Sequence, residues 1–243
     1  MAYVGGFHAV QAVLERSPER VRSLHVQRGR QDARVAALVA LAKRQGLRVE
    51  TVDKRWLDRH SEAAHQGVIA DCHALQLASE KDLEARWSAL GDKPLLLILD
   101  GITDPRNLGA CLRSAAAAGV DAVLFPKRNS APINELVLKT AAGGAEALLL
   151  VEVTNLARRL EWLKAQGVWL VGTAGEATQD WHQVDLKGAI ALVMGSEGKG
   201  LRDLTERSCD FLVSIPMTDA VESLNVAVAT GVMLFEAVRQ RSL

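Results

Sequence analysis

Cysteine is scarce in this chain of 243 residues: Cys72, Cys111 and Cys209 stand far apart. None belongs to a paired-cysteine metal motif, so all three read as reduced thiols of a cytoplasmic protein. His8, His25, His60, His65 and His73 lack a companion cysteine or carboxylate pair at zinc-ligand spacing, and no structural metal is expected. A net charge is missing too: 29 Lys and Arg balance 29 Asp and Glu, which argues against indiscriminate wrapping of nucleic acid. No apolar run is long enough to cross a membrane, and the opening MAYVGGFHAV has neither a basic leader nor a long apolar segment. A cytoplasmic location is therefore expected. Neither G-x-G-x-x-G nor G-x-x-x-x-G-K-[ST] occurs, so nucleotide hydrolysis and ordinary hydride transfer lose their specific support.

What is present is unevenly distributed. Residues 1–78 hold 12 Lys or Arg against 8 Asp or Glu, while residues 79–243 hold 17 against 21. The basic front reads as a small α/β domain, with helices over 9–14 and 35–43 and strands over 21–26, 47–52 and 67–72. Arg20, Arg22, Arg28, Arg30 and Arg34, followed by Lys43, Arg44 and Arg48, suit phosphate contacts; a solvated charged face explains them equally well. His8, just past Gly5 and Gly6, reads as a capping or packing residue, with substrate contact as the second reading. The charged stretch 79–93, interrupted by Leu83, Trp87 and Leu90, reads as a partly helical linker. From residue 94 onward, strands over 95–99, 122–125, 147–151, 168–171, 189–193 and 211–215 alternate with helices after 107 and over 133–139 and 156–165. That alternation predicts a mainly parallel sheet covered on both sides.

The last third carries the chemistry. One apolar run stops at Gly195-Ser196-Glu197-Gly198, and another is ended by Pro216. After Ser223, Leu224, Val228, Val232, Phe235 and Val238 recur at helical spacing with Asn225 in the first turn, which predicts a helix covering the sheet with that stripe. An acid-bearing glycine turn, a proline-stopped strand and an amide at a helix start converge at the carboxyl ends of strands, where open α/β sheets bind ligands. An Asn near a helix start also occurs without any function. The loops GITDPRNLG, VGTAGE and MGSEGKG offer backbone amides and carbonyls beside Leu170, Val171, Ile215, Met217 and Leu224, a lining suited to a largely uncharged adenosine-like ligand.

Three stretches are more specific. They are Asn107-Leu108-Gly109-Ala110-Cys111-Leu112-Arg113-Ser114, Met194-Gly195-Ser196-Glu197-Gly198, and Ile215-Pro216-Met217 followed by Ser223-Leu224-Asn225-Val226-Ala227-Val228-Ala229. Together they resemble the three motifs of the SpoU or TrmH group of SPOUT RNA methyltransferases. The likeness spans essentially all of 94–243, and GGFHAV with the basic front resembles the substrate-binding domain of longer members. The resemblance implies a ribosomal-protein-L30e-like RNA-binding domain over 1–78, a linker over 79–93, and a catalytic α/β domain over 94–243 whose mainly parallel sheet ends in a trefoil knot. It implies a homodimer without a membrane partner. That homodimer would bind S-adenosylmethionine and methylate the ribose 2′-hydroxyl of a guanosine in 23S ribosomal RNA, naked or in an early assembly precursor. A transfer RNA target, or a noncatalytic RNA-binding role, is the alternative. Asn107, Arg113, Glu197 and Asn225 fall on catalytic positions; Thr173, Gly195, Ile215, Met217 and Leu224 fall on cofactor positions. Ser196 and Ala227 vary only where small residues exchange. A sulfonium is already a good leaving group, so such chemistry asks the protein chiefly for alignment and for a cation, best supplied by Arg113, beside the developing alkoxide.

Overall fold

In the computed structural model, which describes residues 2–30, 32–61, 64–196, 198, 200–218 and 220–242, the chain divides into two units. The first is Met1–Gln76 with Pro132–Ala147; the second is Leu77–Ala131 with Leu148–Leu243.

The first unit holds β1 (Ala2–Gly5), α1 (Phe7–Arg16), β2 (Val21–Gln27), α2 (Ala33–Arg44), β3 (Arg48–Val52), α3 (Lys54–His60) and β4 (Val68–Cys72). Its sheet runs β1-β4-β2-β3, with β2 and β3 parallel and the other pairs antiparallel. Val10, Val13 and Leu14 of α1, and Val35, Leu38 and Ala42 of α2, recur at helical spacing and are buried, since one face of each helix leaves water on the sheet. Asp32 starts α2 by accepting the Val35 amide at 3.2 Å. β1 and α3 are additions to the elements expected from sequence. AYVG is too short to show a period, and in KRWLDRH only Leu57 is buried.

Three front arginines serve this fold rather than facing phosphate. Arg20 is buried and donates to the His73 carbonyl and to Glu146. Arg22 donates to both carboxylate oxygens of Asp71, at 2.5 and 2.7 Å. Arg30 donates to Asp32 and to the Gln66 carbonyl and lies over the Phe7 ring. Of Arg20, Arg22, Arg28 and Arg30, only Arg28 is exposed.

The second unit begins with α4 (Glu80–Arg86), inside the stretch read as a linker. Ser79 and Asp82 form a capping box that starts this helix, and Leu83 is fully buried beside Val151, Leu160 and Val193. The segment is thus part of the second unit's core. There follow β5 (Leu95–Asp100), α5 (Pro105–Ala117), β6 (Ala122–Pro126), α6 (Glu135–Ala141, within the first unit), β7 (Leu149–Val153), α7 (Leu156–Ala165) and β8 (Trp169–Thr173). The chain ends with β9 (Gln179–Asp180), β10 (Ile190–Gly195), α8 (Asp203–Ser208), β11 (Phe211–Ser214) and α9 (Val226–Arg241). Seven strands in the order β7-β6-β5-β10-β8-β11-β9 are all parallel. β5, β6 and β10 are buried at every position, as strands covered on both faces require. Parallel strands bring their carboxyl ends, and the loops that follow, to one edge.

α9 packs differently from the expectation. Its buried residues include Val226, Thr230, Met233, Leu234 and Ala237, whereas Val228 and Phe235 of the expected stripe are 54% and 51% exposed. Thr230 Oγ1 meets Cys111 Sγ of α5 at 3.5 Å, and a Cβ on Gly231 would stand 3.7 Å from Ser114 Oγ. VAVATGVMLFEAV is apolar around most of its circumference, so helical spacing alone offered more than one face. Close packing selected the face whose small residues admit α5. At the far end, Arg241 donates to the carbonyls of Leu186, Gly188 and Lys93, anchoring the helix near the start of β5 and β10.

Candidate active site

The register sets Gly195, the last residue of β10, against Asp100, the last of β5. Asp100 has a fully buried side chain that accepts the Arg202 amide at 3.2 Å, its Nε at 2.7 Å and its Nη2. A buried carboxylate needs such charged, multiple donation, and Arg202, with its side chain 49% exposed, supplies it from the rim. The pair ties the exit of the loop after β10 to the root of the loop entering α5. Within that loop Ser196 and Gly200 exchange two backbone hydrogen bonds of 2.9 Å, folding it back over Gly195. A Cβ on Gly195 would lie 2.1 Å from the Gly200 carbonyl carbon and 2.3 Å from Leu201 N, so the position admits only glycine.

Beside this loop opens a cavity of about 630 Å³. Thr173, Gly195, Ile215, Met217 and Leu224, all five residues expected at cofactor positions, line it. So do Glu176, Glu206 and Glu222, which sequence reading did not single out. Glu206 lies on α8, a helix too short to announce itself by periodicity. A mixed wall of apolar side chains, glycines and hydroxyls with three carboxylates suits a ligand with an adenosine-sized body and positive charge.

The rim of the cavity is joined to α5. Asn225, between the lining residues Leu224 and Val226, caps α9 by accepting the Ala227 amide at 3.0 Å, and its own amide donates to Asn107 Oδ1 at 2.9 Å. Those two asparagines are 118 residues apart in the chain. Asp104 starts α5 by accepting the Arg106 and Asn107 amides at 2.6 and 3.1 Å, with Pro105 at the first position. Arg113, farther along α5, is exposed and has neither a hydrogen bond nor an ion pair among the described residues. It lines no part of the cavity wall. Glu197 lies outside the described residues. Cys111 is buried, and burial pushes its thiol up to about 11, so it is protonated at neutral pH and packs rather than attacks.

The chain matches the SpoU rRNA Methylase family over residues 94–235 and the family described as RNA 2′-O ribose methyltransferase substrate binding over residues 3–78. It is 52% identical over 237 residues to the 23S rRNA (guanosine-2′-O-)-methyltransferase RlmB of Shewanella oneidensis, covering 97% of this chain and 96% of that protein. RlmB of Escherichia coli K12 is 51% identical over 238 residues, 98% of each chain. Among solved structures, an AdoMet-bound rRNA methyltransferase from Sinorhizobium meliloti is similar with a TM-score of 0.80 and 25% identity, over 98% of this chain and 87% of that one.

Proposed function

Because the chain belongs to the SpoU rRNA methylase family, we propose that it transfers a methyl group from S-adenosylmethionine to the ribose 2′-hydroxyl of one guanosine in 23S ribosomal RNA. It is an S-adenosylmethionine-dependent RNA 2′-O-methyltransferase. The observation that carries the reading is the cavity at the strand ends, whose apolar side chains and carboxylates match the two halves of that donor. No described helix is long and apolar enough to cross a membrane. A ribosomal RNA target supports a cytoplasmic reaction.

When bound, S-adenosylmethionine supplies an electrophilic sulfonium methyl. Ile215, Met217 and Leu224 would hold the adenosine, and Glu176, Glu206 and Glu222 would favour the cationic end. The Asn225–Asn107 hydrogen bond holds the start of α9 to the first turn of α5, and so keeps the helix bearing Arg113 in register with the cavity. The Arg113 guanidinium receives the 2′-hydroxyl or its neighbouring phosphate and stabilises the developing alkoxide. Glu197, placed by sequence in the loop after β10, is assigned to orienting Arg113.

Mapping ribose methylation on total RNA from cells lacking the protein should reveal the loss of one guanosine 2′-O-methyl group in 23S ribosomal RNA, restored by the parent gene. Loss confined to a transfer RNA would keep the chemistry and sink the ribosomal assignment.

The exposed stripe on α9 supports assembly as a homodimer. Val228 and Phe235, with the partly buried Val232 and Val238 between and beyond them, present an apolar strip that a second copy would cover. Phe235→Asp should sediment as a single chain of 26.2 kDa, where the parent sediments at twice that mass. A parent that is already single at micromolar concentration would end the dimer assignment.

A further inference from the structure

The first unit carries its own cavity, of about 590 Å³, where the ends of the parallel strands β2 and β3 meet α3. Arg28, Lys54, Arg55 and Arg59 line it, against a single acid, Asp53. All four cations are exposed. The Arg28–Asp53 pair spans 3.4 Å with both side chains more than two-thirds in water, where such a pair holds little. Among the described residues, Arg59 Nε donates to the Arg55 carbonyl alone, and neither Lys54 nor Arg55 has an ion-pair partner. Like charges gathered in a concavity repel one another unless a polyanion enters, and they focus a positive field on it.

The wall of this groove is firmly held. Leu57 of α3 is fully buried, and the Trp56 ring is stacked on His60 at 3.9 Å and tilted against His25 at 4.3 Å, with Tyr3 edge-on. His25 of β2 and Tyr3 of β1 engage Trp56, so this ring serves to fix α3 to the sheet, and Arg55 and Arg59 project from the same helix one turn apart. Elsewhere in the unit, Arg20, Arg22 and Arg30 are already committed to internal partners.

We propose that this groove binds the sugar–phosphate backbone of the substrate RNA, with Arg28, Lys54, Arg55 and Arg59 each facing a phosphate and none reading a base. The proposal rests on the RNA methyltransferase reading and adds to it the surface that grips the polyanion.

The test uses the full chain, a 23S ribosomal RNA transcript and filter binding across a potassium chloride series. Replacing the four residues together (Arg28→Gln, Lys54→Gln, Arg55→Gln, Arg59→Gln) should weaken binding by about tenfold or more at physiological salt. It should also flatten the log–log salt slope by about two to three, at roughly 0.7 per phosphate on a single strand. Donor affinity, read by calorimetry, should stay within about twofold of the parent, and kcat/KM for RNA should fall while kcat at saturating RNA holds. Lys43→Gln with Arg44→Gln, exposed cations outside the groove, should leave the slope near the parent's. The double variant Arg55→Glu, Arg59→Glu gives the same reading should the quadruple variant melt early. A groove variant with the parent's slope, or a control pair that flattens it as much, overturns the proposal. A parent that binds the transcript steeply yet methylates nothing sinks the methyl-transfer reading instead, and leaves the groove judged by its own slope.

Discussion

Arg113→Ala is expected to lower single-turnover methyl transfer to 23S ribosomal RNA by about 100- to 1000-fold while donor affinity stays within about twofold of the parent. The separation follows from position. Arg113 is exposed on α5 and lines no part of the cavity proposed for the donor, so its removal leaves the wall around Thr173, Ile215, Met217 and Leu224 intact. It has no internal partner among the described residues, so no buried acid is orphaned and the thermal midpoint should hold. What is lost is a cation where negative charge develops on the attacking oxygen, an effect typically worth about 3–4 kcal/mol. Arg113→Lys should recover part of the rate, because it restores charge but not the forked donor geometry. Isothermal titration with S-adenosylmethionine and rapid-quench transfer on the same preparations decide the matter. A large loss of donor affinity with normal single-turnover transfer would reverse the assignment.

Gly195→Ala should act on the other substrate. Its Cβ would sit 2.1 Å from the Gly200 carbonyl carbon, and the obstructing atoms are backbone that no rotamer change can clear. Gly200 and Leu201 must therefore shift, and Ser196 with them, out of the cavity wall. Overpacking of this kind costs roughly 1–3 kcal/mol. Taken from the bound geometry, the upper figure is about a 100-fold loss of donor affinity. Gly188→Ala is the control: nothing lies within 4 Å of its added Cβ and it lines no part of the cavity. Donor titration should show the first variant crippled and the second near the parent. Equal affinities for both variants would mean that the loop does not form the donor wall.

The elements of the second unit were largely legible because buried parallel strands leave continuous apolar runs and their helices leave a period. The helix expected over 156–165 is observed as Leu156–Ala165. Short or charged elements were not legible: β1, α3, β9 and α8 have too few apolar residues to establish a period against their neighbours. That Thr173, Gly195, Ile215, Met217 and Leu224 share one cavity was foreshadowed by local motifs, since glycine turns and a proline-stopped strand leave a mark in consecutive residues. Glu176, Glu206 and Glu222 were not, because a carboxylate on a cavity wall looks like any surface acid until the wall closes.

By itself the sequence determined the alternation of strands and helices, the family motifs, and the basic bias of the front, all of which are written in neighbouring residues or in sums along the chain. The tertiary structure decided which partners those residues took. It paired Asp100 with Arg202 across 102 positions and Asn107 with Asn225 across 118. It also turned Val228 and Phe235 outward, and it spent Arg20, Arg22 and Arg30 on the fold while leaving Arg28, Lys54, Arg55 and Arg59 to a groove. Periodicity and charge counts report what a segment is able to bury or expose. Which face is buried, and which charge is neutralised, depends on distant atoms brought within hydrogen-bond or van der Waals reach, and only the packed chain supplies those distances.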